Sequence, residues 1–200
     1  MVFNKDVLFI HLGKTGGMSV THYLCNSLTP PVISLVSKEN FIDKGFHAGY
    51  EIMIHGYRHV NLFDAKLLLE YYGMRLEDFK LIFTIVRDPL DLEYSHYLHL
   101  KKERVRKRLQ SMPEGLHERM YAAESDFDFF VRSKHTHYYG DLKNYFTVND
   151  EVPSNMQVIK FEDLDTKIPQ IVKSYQREDI PFPHRNKTPE KPSLHDISDE

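Results

Sequence analysis

Val7-Leu8-Phe9-Ile10 runs directly into His11-Leu12-Gly13-Lys14-Thr15-Gly16-Gly17, and Met18-Ser19-Val20 opens a segment that continues to Leu28. Four apolar residues, a loop holding three glycines and one lysine, and a helix-compatible run over Ser19 to Leu28 predict a strand, a phosphate-sized turn and a helix N-terminus. Glycine lets backbone N–H groups approach an anion closely, and the first helical turn presents unpaired N–H groups at its positive dipole end. Lys14 adds a mobile point charge, while Thr15 and Ser19 add hydroxyls. A glycine turn alone would only make the corner between strand and helix. The lysine and hydroxyls beside it decide for a phosphate cradle.

The cradle is not the nucleoside-triphosphate loop, in which Gly, four residues and Gly-Lys-Ser/Thr follow one another. Lys14 precedes the Gly16-Gly17 pair, and no Gly-Lys-Ser/Thr comes after it.

A second anchor lies in Lys80-Leu81-Ile82-Phe83-Thr84-Ile85-Val86-Arg87-Asp88-Pro89. The apolar and β-branched run predicts a strand buried on both faces. Asp88 suits an N-cap and Pro89 the first turn of the next helix, where its missing N–H costs nothing. Arg87 therefore sits at a strand end, with a planar fork able to grip a phosphate, and Ser95 lies about two helical turns further on. The plainer role for such an arginine is an ion pair with a helix carboxylate.

Between the anchors, Pro30 and Pro31 close the first helix and Val32 to Val36 reads as a second strand. Lys38 to Gly49 is polar and turn-rich, and Tyr50 to His59 predicts a strand delivering a His-rich turn. His55 and His59 are candidate bases, because strand ends in an open α/β sheet face the ligand crevice and imidazole takes a proton near neutral pH. With twelve histidines in the chain, either one is as readily a spectator, and the choice between them stays open. Leu62 to Tyr72 carries a helical apolar face, with Gly73 as the residue that closes it and Asp64 and Glu70 as solvated charges.

Composition bounds the whole. Two hundred residues with 41% hydrophobic content and a net charge of −3 suit one α/β domain and exclude a general nucleic-acid binder. Cys25 is the only cysteine, so no intramolecular disulfide forms, and it reads as a buried helix residue in a reducing compartment. No apolar run approaches the ~20 residues of a membrane span, and Met1 to Asp6 lacks a signal-peptide layout.

Lys101 to Arg108 is strongly basic and reads first as a solvated helix end, second as an electropositive lip. Ser111 to Glu118, with Pro113 and Gly115, is a turn able to cover a site. Asp126 to Tyr145 reads as an aromatic-rich helical region in which His135 and His137 lack a third ligand, so no metal is expected. Asn155 to Phe161 predicts a last strand ending in Phe-Glu-Asp-Leu, Ile168 to Tyr175 a short helix, and residues 181 to 200 a tail that includes Arg185 and Lys187.

The loop sequence His-Leu-Gly-Lys-Thr-Gly-Gly-Met-Ser-Val resembles the 5′-phosphosulfate loop of sulfotransferases that use 3′-phosphoadenosine 5′-phosphosulfate (PAPS), in their carbohydrate-type branch. Gly13 and Met18 stand where that family prefers proline and threonine. Arg87, Pro89, Ser95 and Tyr97 resemble its 3′-phosphate motif, with Leu92 in place of a second arginine. The Phe-Glu-Asp-Leu strand ending and Pro183-His184-Arg185-Asn186 are weaker matches.

The resemblance implies a single three-layer α/β/α domain over residues 1–200, with a mostly parallel central sheet of the P-loop nucleotide-kinase-like kind. It implies PAPS as co-substrate, no metal, a hydroxyl-bearing small molecule or saccharide as acceptor, and a soluble cytoplasmic setting. Lys14 and His55 or His59 would be catalytic. Lys14, Thr15, Gly16, Gly17, Met18, Ser19, Arg87, Ser95 and Arg185 would hold the donor. The usual Gly-His after the base-bearing strand is replaced by Gly56-Tyr57. Two other readings share the architecture: a P-loop-like nucleotide or small-molecule kinase, and a PAPS-binding domain without turnover.

Overall fold

A computed structural model of the chain describes residues 1–36, 51–109, 123–132 and 142–183. Along the chain these form β1 (Val2–Phe3), β2 (Val7–Ile10), α1 (Gly17–Ser27), β3 (Val32–Val36), β4 (Glu51–His55), α2 (Leu62–Tyr71), β5 (Leu81–Val86), α3 (Pro89–Leu100), α4 (Glu103–Leu109), α5 (Phe127–Arg132), β6 (Met156–Lys160) and α6 (Leu164–Val172). They fall into two compact units, one drawn from Met1–Arg87 and Asp141–Asn186, the other from Asp88–Gly140 and Lys187–Glu200. The expected turn at Ser111 to Glu118, the polar stretch Lys38 to Gly49, His135, His137 and Arg185 lie outside the described residues.

The first unit is built on a six-stranded sheet of order β4-β3-β1-β2-β5-β6. β2 runs parallel to β5 from Val7↔Leu81 to Ile10↔Thr84, β5 parallel to β6 from Ile82↔Met156 to Val86↔Lys160, and β3 parallel to β4 from Val32↔Glu51 to Val36↔His55. The sheet is thus mostly parallel, as expected. β1 is the exception, running antiparallel to both β2 and β3. Two residues carry no readable periodicity, so this strand is invisible in the sequence.

Alternation sorts the strand residues onto two faces. Val7, Phe9, Leu81, Phe83, Ile85 and Ile159 join Val20, Tyr23 and Leu24 of α1 and Leu164, Ile168 and Val172 of α6 in one core. Leu8, Ile10 and Ile82 point the other way and are equally inaccessible to solvent. Burial on both faces is what the unbroken apolar runs require.

Helix boundaries follow burial and capping. α1 begins at Gly17, ahead of the expected Ser19, and α2 ends as predicted, with Gly73 at φ 75° and the N–H groups of Gly73 and Met74 on the carbonyls of Glu70 and Leu69. The helix expected over Ile168 to Tyr175 instead starts at Leu164, contains Pro169 and ends at Val172, with a 3-10 turn over Lys173–Tyr175. Burying Leu164, Ile168 and Val172 along one face outweighs the backbone bond that Pro169 removes.

In the second unit, Asp88 Oδ1 accepts the N–H groups of Leu90 and Asp91 at 3.0 and 3.1 Å, capping α3 with Pro89 at its first position. Tyr97, Leu100, Ala123 and Phe130 form a small aromatic core beside Tyr94 and Phe127. On the basic segment Lys107 pairs with Glu103 and Arg106 with Glu124, all on exposed side chains, as a solvated helix end would have it.

Candidate functional site

The order of the sheet itself marks the site. From β2 the chain passes through α1 to β3 on one side, whereas β5 lies on the other side of β2 and is followed outward by β6. Neighbouring parallel strands whose continuations part in this way leave a crevice at their carboxyl ends. The residues just past β2 and β5 are the loop from His11 to Gly16, and Arg87. Both sequence anchors thus arrive at one place.

The loop is tightly tied. Lys14 and Gly16 adopt left-handed backbone, with φ of 64° and 74°. For lysine this conformation costs about 1 kcal/mol, so its surroundings must hold it there. Thr15 Oγ1 donates to the Leu12 carbonyl at 2.7 Å, Arg87 Nη1 donates to the Lys14 carbonyl at 3.2 Å, and the Ser19 N–H reaches the Gly16 carbonyl at 2.9 Å. Thr15 is fully buried, so its hydroxyl shapes the loop.

Gly16 and Gly17 are required by the protein's own side chains as well. A Cβ on Gly17 would lie 2.0 Å from His11 Nε2, and one on Gly16 would lie 2.6 Å from Leu164 Cδ1. The Phe-Glu-Asp-Leu ending of β6, which the sequence offers mainly as an alignment mark, therefore packs on the cradle. Phe161 also lies under the Arg87 guanidinium, 4.3 Å from carbon to ring centroid. Arg87 is buried between this ring and the loop carbonyl, at 9% exposure.

Two histidines line the other flank. His11 stacks on Phe9 with ring centroids 5.5 Å apart and meets His59 edge-on at 4.6 Å. His59 Nδ1 lies 3.1 Å from the His11 carbonyl oxygen. A carbonyl only accepts, so Nδ1 carries the hydrogen and Nε2 holds the lone pair. Tyr145 donates its hydroxyl to the His59 carbonyl at 3.3 Å.

Burial holds His11 well below the usual imidazole range, helped by His59, the Met1 amino group and Arg58. His59 is lowered to about 4, chiefly by burial; the His11 carbonyl opposes the shift, and the Met1 amino group, Arg58 and Lys14 add to it. Both rings are neutral at pH 7.

Arg58, in the turn after β4, places Nη1 2.8 Å from Met18 Sδ in the first turn of α1. His55 is the last residue of β4, paired in register with Val36. Ser95 is buried in α3 of the second unit, at 6% exposure. The structure thus gathers Lys14, Thr15, Gly16, Gly17, Met18, Ser19, His59 and Arg87, and adds His11, Arg58 and Phe161. His11 and Phe161 stand inside the quoted motifs and Arg58 beside a candidate base, but nothing in their spacing singles them out. The assembly is a cationic, backbone-lined cradle with two neutral imidazoles beside it. Among the described residues no group of three metal-ligating side chains occurs, and no helix is long and apolar enough to cross a membrane.

No family model and no curated protein matches the sequence. Among solved structures, mouse sulfotransferase SULT7A1 complexed with PAP aligns at 13% identity over 88% of this chain, with a TM-score of 0.46. The chain spans 59% of that protein's length. A sulfotransferase from Alicyclobacillus acidocaldarius aligns at 16% identity over 86% of this chain and 79% of its own, with a TM-score of 0.42.

Proposed function

We propose that the chain transfers a sulfuryl group from PAPS to a hydroxyl, most concretely one on a carbohydrate, and releases 3′-phosphoadenosine 5′-phosphate (PAP). The observation that carries this reading is the Lys14 loop at the strand switch point, locked in left-handed backbone and braced by Arg87 from the adjacent strand end. Both units are read as one sulfotransferase domain acting in the cytoplasm.

The chemistry asks three things of these residues. The acceptor oxygen attacks sulfur while the bond from sulfur to the bridging oxygen breaks, and that bond's electron pair stays on the 5′-phosphate of PAP. Lys14 and the loop N–H groups stabilise the charge that develops there. The acceptor proton goes to the His59 lone pair on Nε2, which the His11 carbonyl keeps available. His55 remains the alternative base. An anion in the cradle opposes the field of Lys14 and Arg58, and so raises His59 toward the range a base needs.

Arg87, at the end of β5, holds the 3′-phosphate, which distinguishes the donor from ATP, and Ser95 is assigned to that phosphate by the sequence motif alone. Met18, Ser19, Gly16 and Gly17 contribute through the first turn of α1, and Arg185 is assigned to the donor by the tail motif alone.

Calorimetric binding of PAP and of ATP to the wild type, Lys14→Ala and Arg87→Ala tests the reading. PAP is expected to bind at least about tenfold more tightly than ATP, with about tenfold lost on removing Lys14. Arg87→Ala is expected to erase the preference and to weaken both ligands, because Arg87 also braces the Lys14 carbonyl. Equal or better ATP binding, indifferent to Arg87, overturns the sulfotransferase reading in favour of a kinase. Tight PAP binding without turnover of PAPS on any hydroxyl acceptor, unaffected by changes at His55 and His59, points to the non-catalytic alternative.

A further inference from the structure

We infer that Arg58 is a donor-binding residue of the same cradle, gripping the phosphosulfate end of the donor. This rests on the function proposed above. The turn after β4 brings the Arg58 guanidinium to the first turn of α1, where Nη1 meets Met18 Sδ at 2.8 Å. A thioether is among the weakest acceptors in a protein, whereas a phosphate or sulfate oxygen makes a charge-assisted bond about twice as strong as a neutral one. Exchange of Met18 sulfur for an anionic oxygen is therefore favourable.

Electrostatics points the same way. The first turn of α1 has no acidic residue, and the positive end of its dipole faces a guanidinium. Lys14 sits at the head of the same helix, and Arg87 bonds the Lys14 carbonyl. A multiply charged anion placed among these three side chains meets attraction from each of them and from the helix N-terminus. His11, 2% exposed beside Gly17, also keeps its Nδ1 without a hydrogen-bond partner among the described residues.

The test is calorimetric binding of three probes to wild type, Arg58→Gln and Arg58→Lys, each checked for a cooperative thermal transition. PAP carries phosphates at both ends, adenosine 3′-monophosphate only the 3′ one, and inorganic pyrophosphate mimics the phosphosulfate alone. Arg58→Gln is expected to weaken PAP and pyrophosphate at least about tenfold while leaving adenosine 3′-monophosphate within about twofold. Arg58→Lys, which keeps the charge but loses the fork, is expected to lose about threefold and decides the matter if glutamine prevents folding.

Unchanged PAP and pyrophosphate binding in the variants, or equal loss of all three probes, overturns the role of Arg58. Wild-type binding of pyrophosphate but not PAP overturns the sulfotransferase reading alone, and Arg58 is then judged on pyrophosphate. Binding of neither overturns both.

Discussion

Gly17 and His11 occupy one another's space, and that pairing has a measurable consequence. A methyl group at Gly17 would fall 2.0 Å from Nε2 of a ring that is itself stacked on Phe9 and 2% exposed, so the ring must be driven out of its slot. Overpacking of this kind costs about 1–3 kcal/mol, and Gly17→Ala should show it in urea unfolding. In a His11→Ala background the same substitution has room, and its cost should fall below about 0.5 kcal/mol. Additive costs in the double mutant would mean that glycine is needed there for the backbone alone. The residue scale is also where the sequence says least: a motif shows that glycines are present, but not that a histidine from the preceding strand end fills the space they leave.

At the scale of elements, the strands that carry the site were legible because each is buried on both faces and therefore reads as an unbroken apolar run. Val7 to Ile10 and Leu81 to Val86 are such runs, and they put the residues after them, the Lys14 loop and Arg87, at the carboxyl ends of adjacent strands. The start of α6 was not legible, since Pro169 argues locally against a helix that the core demands through Leu164, Ile168 and Val172. β1 is too short to be read from the sequence. The contacts of Phe161 and Arg58 are not legible there either, because they depend on the sheet order bringing the β6 and β4 turns to the β2 loop.

One element boundary offers a prediction of its own. Asn155, just before β6, donates Nδ2 to the carbonyls of Leu76 and Phe79 at 2.9 and 2.7 Å, tying the segment that precedes β5 to the segment that precedes β6. Asn155→Ala leaves both carbonyls without this donor and should cost about 1–3 kcal/mol in chemical denaturation. A loss below about 0.5 kcal/mol would show that water replaces the side chain freely.

For the molecule as a whole, a net charge of −3 conceals a cationic crevice, and the two neutral histidines inside it make stability depend on pH. His59 has a folded-state pKa of about 4 against 6.5 for a free imidazole. Between those values the unfolded chain binds more protons, so stability rises with pH across the window, is fully present above about 6.5 and is lost as pH falls toward 4. From His59 alone the full span is about 3 kcal/mol, of which about 2 kcal/mol disappears between pH 7.5 and 5. His11, lowered in the same direction by its burial, adds to the loss. Urea unfolding at the two pH values should therefore show a wild type markedly weaker at pH 5. In His59→Gln, where the amide still donates to the His11 carbonyl but does not titrate, the difference should shrink by about 2 kcal/mol. A variant with the same pH dependence as the wild type would place His59 in water, where it would titrate normally and could not be the buried base proposed above.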